Sequence, residues 1–212
     1  MKNKEKIFEF FNQLYKNPKC ALEYKTPYEL LVAVVLSAQC TDKRVNIVTK
    51  DLFQLANTPR DMLALGESQL KKIIYPCGFY NNKAKSIIGL SEDIVNNFNG
   101  EVPKTMEGLT SLRGVGRKSA NVVLAVAFGK QTIAVDTHVL RVSKRLGLTN
   151  KDASPYDCEM SLLKIVPKNN RSKFHHQAVW FGRDICHAQK PNCEQCKLKD
   201  ICLYYREKQL KG

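Results

Sequence analysis

The sequence predicts an all-α fold of about ten helices. Three observations carry that expectation: apolar residues recur at helical spacing, short Gly, Pro and Asn clusters separate the periodic segments, and strand patterning is poor. In chain order, Ile7, Phe8, Phe11, Leu14 and Tyr15 form a first stripe, and Leu30 to Ala38 is the longest apolar run. Asn57-Thr58-Pro59 punctuates the chain before a second periodic segment, in which Ile87, Ile88, Leu90, Ile94 and Val95 stand ahead of Gly100. A helix is expected to end near Ser111 and another to run from about Arg117 to Phe128. Because Val122 to Phe128 is apolar on every face, that helix should be buried. Gln131 to Val135 is the best strand candidate and is too short to build a sheet. An amphipathic helix begins at Asp136. Beyond the break at Pro167-Lys168-Asn169-Asn170, Phe174, Ala178, Trp180 and Phe181 have the spacing of core residues, and His175 and His176 read as packing or hydrogen-bonding residues.

The chain has 212 residues, enough for one large domain or two small intimate ones. Thirty-four Lys and Arg against 20 Asp and Glu leave a formal charge of +14. A surface that basic attracts polyanions, nucleic acid first among them, although a general solubility charge would give the same composition. The longest apolar run has about half the length a bilayer span requires. The N-terminal residues lack the uninterrupted apolar core of a secretory signal. The expected setting is therefore cytoplasmic, with no membrane partner. Eight cysteines are then read in a reducing compartment. Cys20, Cys40, Cys77 and Cys158 are scattered and expected to be small buried hydrophobes, whereas Cys186, Cys193, Cys196 and Cys202 crowd into one short segment.

Three constellations carry chemistry. In Leu112-Arg113-Gly114-Val115-Gly116-Arg117-Lys118-Ser119, two glycines permit a tight turn and leave backbone N–H groups uncovered at the start of a helix, an arrangement suited to one phosphate. Arg117 and Lys118 then sit in the first turn, where the helix dipole disfavours cations. A partly desolvated Lys118 there would have a lowered pKa and act as an amine nucleophile able to form a Schiff base. A phosphate-binding lysine on a solvated turn is the equal alternative. The second constellation, Val135-Asp136-Thr137-His138, ends an apolar run at a carboxylate. Asp136 reads as a helix N-cap, and backbone N–H groups around it would also hold a fixed negative charge able to steady a developing cation. The third is Cys186-x6-Cys193-x2-Cys196-x5-Cys202, four thiolates able to hold tetrahedral zinc or an iron–sulfur cluster. Lys190-Pro191 stiffens the first of its loops.

Together and in this order, these motifs resemble the endonuclease III family of DNA glycosylases, within the helix-hairpin-helix, Gly/Pro-Asp superfamily. The resemblance extends from Leu30 through Gly78-Phe79-Tyr80-Asn81 and Gly100-Glu101-Val102-Pro103 to Cys202. It implies a two-lobed all-α fold, with a six-helix barrel lobe over residues 20–130 and a second lobe formed by residues 1–19 plus 131–212. DNA would cross a basic cleft between the lobes, with Lys118 and Asp136 at its floor. The cysteine spacing resembles the family's [4Fe–4S] motif, which implies a cluster rather than zinc on Cys186, Cys193, Cys196 and Cys202.

The implied activity is removal of oxidised pyrimidines such as thymine glycol from double-stranded DNA, followed by nicking at the abasic site. Lys118 would attack the anomeric carbon and Asp136 would stabilise the cationic sugar. The resemblance places Gln39 and Phe79 in the gap left by a flipped base, with Asn81 beside them. It puts Gly114, Val115, Gly116 and Arg117 on backbone phosphate, Lys190 on DNA beside the cluster, and Asp42 and His138 in the substrate pocket. It further implies a monomer associated with the nucleoid. Arg113 replaces the proline usual before the first hairpin glycine, which is expected to loosen the turn while adding a cation near the phosphates. Ser119 stands where threonine is common, and Phe79 where leucine is frequent. The rival readings are a monofunctional glycosylase of the same superfamily, whose members typically lack lysine at the position of Lys118, and a non-catalytic DNA binder.

Overall fold

The computed structural model describes residues 2–210. Helices account for the regular structure, and no strand occurs among the described residues. In order they are α1 (Lys2–Leu14), α2 (Pro27–Leu36), α3 (Asp42–Leu55), α4 (Pro59–Ile74), α5 (Tyr80–Asn97), α6 (Met106–Thr110), α7 (Arg117–Phe128), α8 (Thr137–Arg145), α9 (Pro155–Ile165), α10 (Arg171–Asp184) and α11 (Leu203–Gln209). Short 3-10 turns at Tyr75–Cys77, Lys168–Asn170 and Lys199–Ile201 complete the set. Hydroxyl side chains cap many of the helices, Thr58 of the Asn57-Thr58-Pro59 break among them. Thr26, Thr41, Thr58, Thr105 and Ser154 each accept a backbone N–H three residues on, and proline opens α2, α4 and α9. In α4 the helix is interrupted at Gly66, whose φ of 76° and ψ of 158° break the hydrogen-bond ladder.

Contacts divide the chain into two units, Ala21–Lys130 and Met1–Cys20 with Gln131–Gly212. In the first, α2 is the apolar axis. Every residue from Tyr28 to Leu36 is buried, as a helix without a polar face must be. Its neighbours are α3, α5 and α7, and α4 packs along α5. Two polar side chains of this interior are paired: the Tyr28 hydroxyl meets Ser91 Oγ at 2.6 Å, and Ser91 in turn donates to the Ile87 carbonyl. α7 is buried at Ala120, Asn121, Val123 and Leu124 but only half-buried from Ala125 to Phe128. One side of that apolar stretch packs and the other does not, contrary to the all-round burial its composition implied.

In the second unit, α1 lies on α10 through aromatic contacts. Phe11 sits between Phe174 and Phe181, at centroid distances of 5.8 and 5.1 Å, and Phe8 meets Phe174 edge-on. α10 also packs on α8. Phe174, Ala178 and Phe181 are core as expected, whereas Trp180 is half-buried with the Arg183 guanidinium over its ring. Gln131–Val135 forms no strand. Its residues Ile133, Ala134 and Val135 are buried as an extended run, held where the His175 Nδ1 lies 2.7 Å from the Ala134 carbonyl oxygen. That anchor fixes the backbone two residues before Asp136.

Candidate active site and iron–sulfur segment

The hairpin forms between α6 and α7. Buried Leu112 and Val115 pin the turn, and the Val115 N–H closes it onto the Leu112 carbonyl at 3.1 Å. Gly114 has φ +78°, and a Cβ on it would stand 2.4 Å from the Ser86 Cβ of α5, so both backbone conformation and space demand glycine there. Gly116 serves differently. Its φ of −89° is ordinary, no side chain caps α7, and a Cβ there would point into open space. The N-terminus of α7 therefore presents bare backbone donors to solvent, the geometry that receives a phosphate.

Arg113 departs from expectation. Its backbone N–H donates to Asp93 at 2.9 Å, its Nε and Nη2 grip the same carboxylate at 2.9–3.1 Å, and Nη2 also reaches Glu92 at 2.7 Å. The side chain runs over Gly89, where a Cβ would come within 3.0 Å of it. Those hydrogen bonds hold the Asp93 carboxyl below the usual carboxylate range. The residue in the proline position thus ties the turn to α5 rather than loosening it. With two carboxylates on it, it adds little free positive charge to the hairpin.

Arg117 and Lys118 occupy the first two positions of α7, and both are exposed. The protein by itself does not desolvate the Lys118 amine. In the same unit, Gln39 lies within the α2–α3 connection and Phe79 ends the one before α5, both in left-handed backbone, with φ of 53° and 49°. Phe79 is 64% exposed, which leaves its ring available to stack. Asn81 is exposed in the first turn of α5, and half-buried Asp42 is the first residue of α3.

In the other unit, Asp136 caps α8, accepting the Val139 N–H on Oδ1 at 2.8 Å. His138 lies one residue into the helix and is half-buried, and burial pushes its pKa down despite the Asp136 charge. Lys190 is exposed with φ +46°. Two arginines on α8, overlooked in the sequence, organise this region. Arg141 donates from Nε to the Cys186 carbonyl at 3.0 Å and from Nη2 to the Gly182 carbonyl at 2.9 Å, and lies 3.2 Å from His138 Nδ1. One turn on, Arg145 donates to the His187 and Ala188 carbonyls and to Cys186 Sγ, with Tyr204 stacked on it at 4.2 Å. Their i, i+4 spacing on an amphipathic helix was the legible signal.

All eight cysteines are free thiols, and Cys186, Cys193, Cys196 and Cys202 line one pocket with Arg145, Tyr204 and Tyr205. Among the described residues no three His, Cys, Asp or Glu side chains converge tightly enough for a single metal ion. Four thiols around one pocket supply the all-thiolate donor set that a [4Fe–4S] cluster takes. Burial and mutual repulsion push the thiols of Cys193, Cys196 and Cys202 up, a cost that binding as thiolates to iron would remove. Of the scattered cysteines, Cys77 and Cys158 are buried as expected, whereas Cys20 and Cys40 are only half-buried. No helix among the described residues is long and apolar enough to cross a membrane.

Residues 32–168 match the HhH-GPD superfamily of base excision DNA repair proteins, which defines the class of the fold and its hairpin. Residues 186–202, bounded by the first and fourth clustered cysteines, match the iron-sulfur binding domain of endonuclease III. Endonuclease III of Bacillus subtilis is 45% identical over 212 residues, covering 100% of this chain and 97% of its own length. That of Rickettsia conorii is 48% identical over 200 residues, covering 94% and 95%. A solved structure of a trapped endonuclease III–DNA covalent intermediate superposes with a TM-score of 0.93 at 45% identity, covering 97% of this chain and 98% of that one. The chain belongs to the endonuclease III family of DNA glycosylases/AP lyases, with a [4Fe–4S] cluster as its cofactor.

Proposed function

We propose that this protein is a bifunctional N-glycosylase/AP lyase that removes oxidised pyrimidines of the thymine glycol type from double-stranded DNA, working as a monomer in the cytoplasm on nucleoid DNA. The observation that carries the reading is Lys118, an exposed amine in the first turn of a helix whose bare N-terminal donors sit beside it. A relative 45% identical has been captured as a covalent intermediate with DNA. Exposure in the free protein leaves the desolvation of Lys118 to bound DNA, which would exclude water from the amine.

In this reading, backbone donors of Gly114 and Gly116, with Arg117, hold a phosphate, and Val115, its N–H spent on the Leu112 carbonyl, keeps the turn in shape for it, while Gln39 and Phe79 fill the space of the extruded nucleotide and Asn81 contacts DNA beside them. Asp42 and His138 line the lesion pocket, and Lys190 meets DNA from the cluster loop. Lys118 Nζ attacks C1′ as the glycosidic bond breaks and the base departs. Asp136 offsets the positive charge on the sugar and assists deprotonation of the amine. Opening of the sugar ring leaves a protonated Schiff base. Loss of a C2′ proton then expels the 3′ phosphate by β-elimination, and water releases the enzyme from the product. When bound, the cluster supplies a rigid cross-link through Cys186, Cys193, Cys196 and Cys202, and Arg141 and Arg145 transmit that rigidity to α8.

The test is borohydride trapping on a duplex bearing one intact thymine glycol. A covalent adduct with the wild type that vanishes in Lys118→Ala supports both activities. Base release with no adduct would instead make the protein monofunctional.

A further inference from the structure

Lys83 takes no part in the chemistry above, yet it is a lysine only 5% exposed inside the Ala21–Lys130 unit. Burial pushes its pKa down. The acceptor its Nζ finds there is a backbone carbonyl, that of Cys77, at 2.8 Å. A methionine would fill the same track without desolvating an amine, so packing alone does not account for a lysine at this place.

What Lys83 holds is the approach to Phe79. Its backbone N–H donates to the Phe79 carbonyl at 3.1 Å, the bond that opens α5, while its side chain turns back to the Cys77 carbonyl. One residue thus grips the carbonyls on both sides of Gly78-Phe79. Fixing those two peptide planes constrains the dihedrals between them, and both residues there have positive φ, Gly78 at 68° and Phe79 at 49°. Glycine adopts such backbone freely and phenylalanine does not. The Phe79 ring, largely exposed, buries too little to hold its own backbone in place, so the strain is imposed by the surroundings. Arg44 of α3 steadies the same connection, donating from Nη1 to the Pro76 carbonyl at 3.3 Å. The Gly78 N–H closes the turn onto the Tyr75 carbonyl at 3.2 Å.

We propose that Lys83 is a positioning residue for lesion recognition, holding Phe79 in left-handed backbone so that its ring is presented ready to stack where the extruded nucleotide leaves a gap. This role rests on the reading of Phe79 as a gap-filling residue given above. Lys83 acts through the backbone from Cys77 to Phe79 and not by touching the sugar or the base. Without its side-chain grip, Phe79 relaxes into right-handed or extended backbone, which aims the ring elsewhere. Left-handed backbone is disfavoured roughly tenfold in an unconstrained residue, so the competent fraction, and lesion affinity with it, falls by about that factor. Undamaged duplex, bound through its phosphates, offers no gap to fill and does not depend on the ring.

The test uses the cluster-loaded full chain, with Phe79→Ala, Lys83→Met and the double variant beside the wild type. Each is titrated with a duplex carrying an uncleavable abasic analogue opposite 2-aminopurine, whose fluorescence reports stacking beside the gap, and with an undamaged duplex. Urea melts establish that each variant is folded. Should Lys83→Met not fold, Lys83→Gln, whose shorter chain withdraws the donor from the Cys77 carbonyl, carries the same comparison. We expect Lys83→Met to lose roughly tenfold in lesion affinity together with the fluorescence change, to keep its affinity for undamaged DNA, and to add nothing in the Phe79→Ala background. Unchanged lesion affinity in Phe79→Ala would sink the reading of Phe79 and the role of Lys83 with it. If Phe79→Ala weakens lesion binding, the positioning role alone is overturned by any of three results: no loss in Lys83→Met, losses that simply add in the double variant, or equal weakening on both duplexes.

Discussion

Replacement of Gly114 by alanine tests whether the hairpin is held by steric necessity. With φ at +78°, an alanine bears the left-handed penalty of about 1–2 kcal/mol. Its Cβ would also lie 2.4 Å from Ser86 Cβ and 2.5 Å from Ser86 Oγ, contacts that require the turn to lift off α5, for about 1–3 kcal/mol more. The expected destabilisation is about 2–5 kcal/mol. Ser86→Gly removes both clashing atoms and leaves only Ser86 Cα, at 3.4 Å from the added Cβ, while costing roughly 0.5 kcal/mol as a helix glycine. The double variant should therefore recover about 1–3 kcal/mol relative to the sum of the singles. Urea melts of the cluster-loaded protein followed by far-UV circular dichroism would measure all four corners of this cycle. Strict additivity, within about 0.5 kcal/mol, would refute the steric account.

Asp136→Ala should lose the Val139 cap, costing about 1 kcal/mol, together with activity, whereas Asp136→Asn should keep the cap and stability and lose only activity. Thermal melts paired with lesion-cleavage rates separate the two effects. Arg113→Ala should leave the salt dependence of DNA affinity nearly unchanged, because Asp93 and Glu92 already hold its charge. A slope of log K against log salt shallower by about one phosphate's worth would contradict that. Burial, with His175 beside it, pushes His176 down to about 4 from its ordinary 6.5. The unfolded chain then binds a proton that the folded one refuses. Stability present above pH 6.5 is lost as pH falls towards 4, by up to about 3 kcal/mol. Urea melts across that window should show a shallower decline for His176→Gln than for the wild type.

The candidate groups could be picked from the chain because each is local. The hairpin glycines with Lys118, Asp136 with the helix it caps, and the four clustered cysteines each lie within one short segment, and a cap or a turn needs only residues within a few positions. Thr58, inside the Asn57-Thr58-Pro59 break, caps α4 for the same reason. What escaped were relations between distant residues. Arg113 looked like a loosened turn carrying a spare cation until Asp93 and Glu92, twenty residues upstream, closed on it. Arg141 and Arg145 looked like the polar face of a helix, and became the link between α8 and the cysteine segment some forty residues on.

By itself, then, the sequence determined the helical class, the turn chemistry, the charge and the spacing of the clustered cysteines, all of which follow from periodicity, composition and short-range geometry. Tertiary structure alone decided which cations are free and which are neutralised, as at Arg113. It alone decided that Phe79 stands exposed while Trp180 is half-covered, and that the buried Lys83 donates to the Cys77 carbonyl. Solvation and pairing energies depend on what packing brings within a few ångströms, and separation along the chain carries no information about that distance.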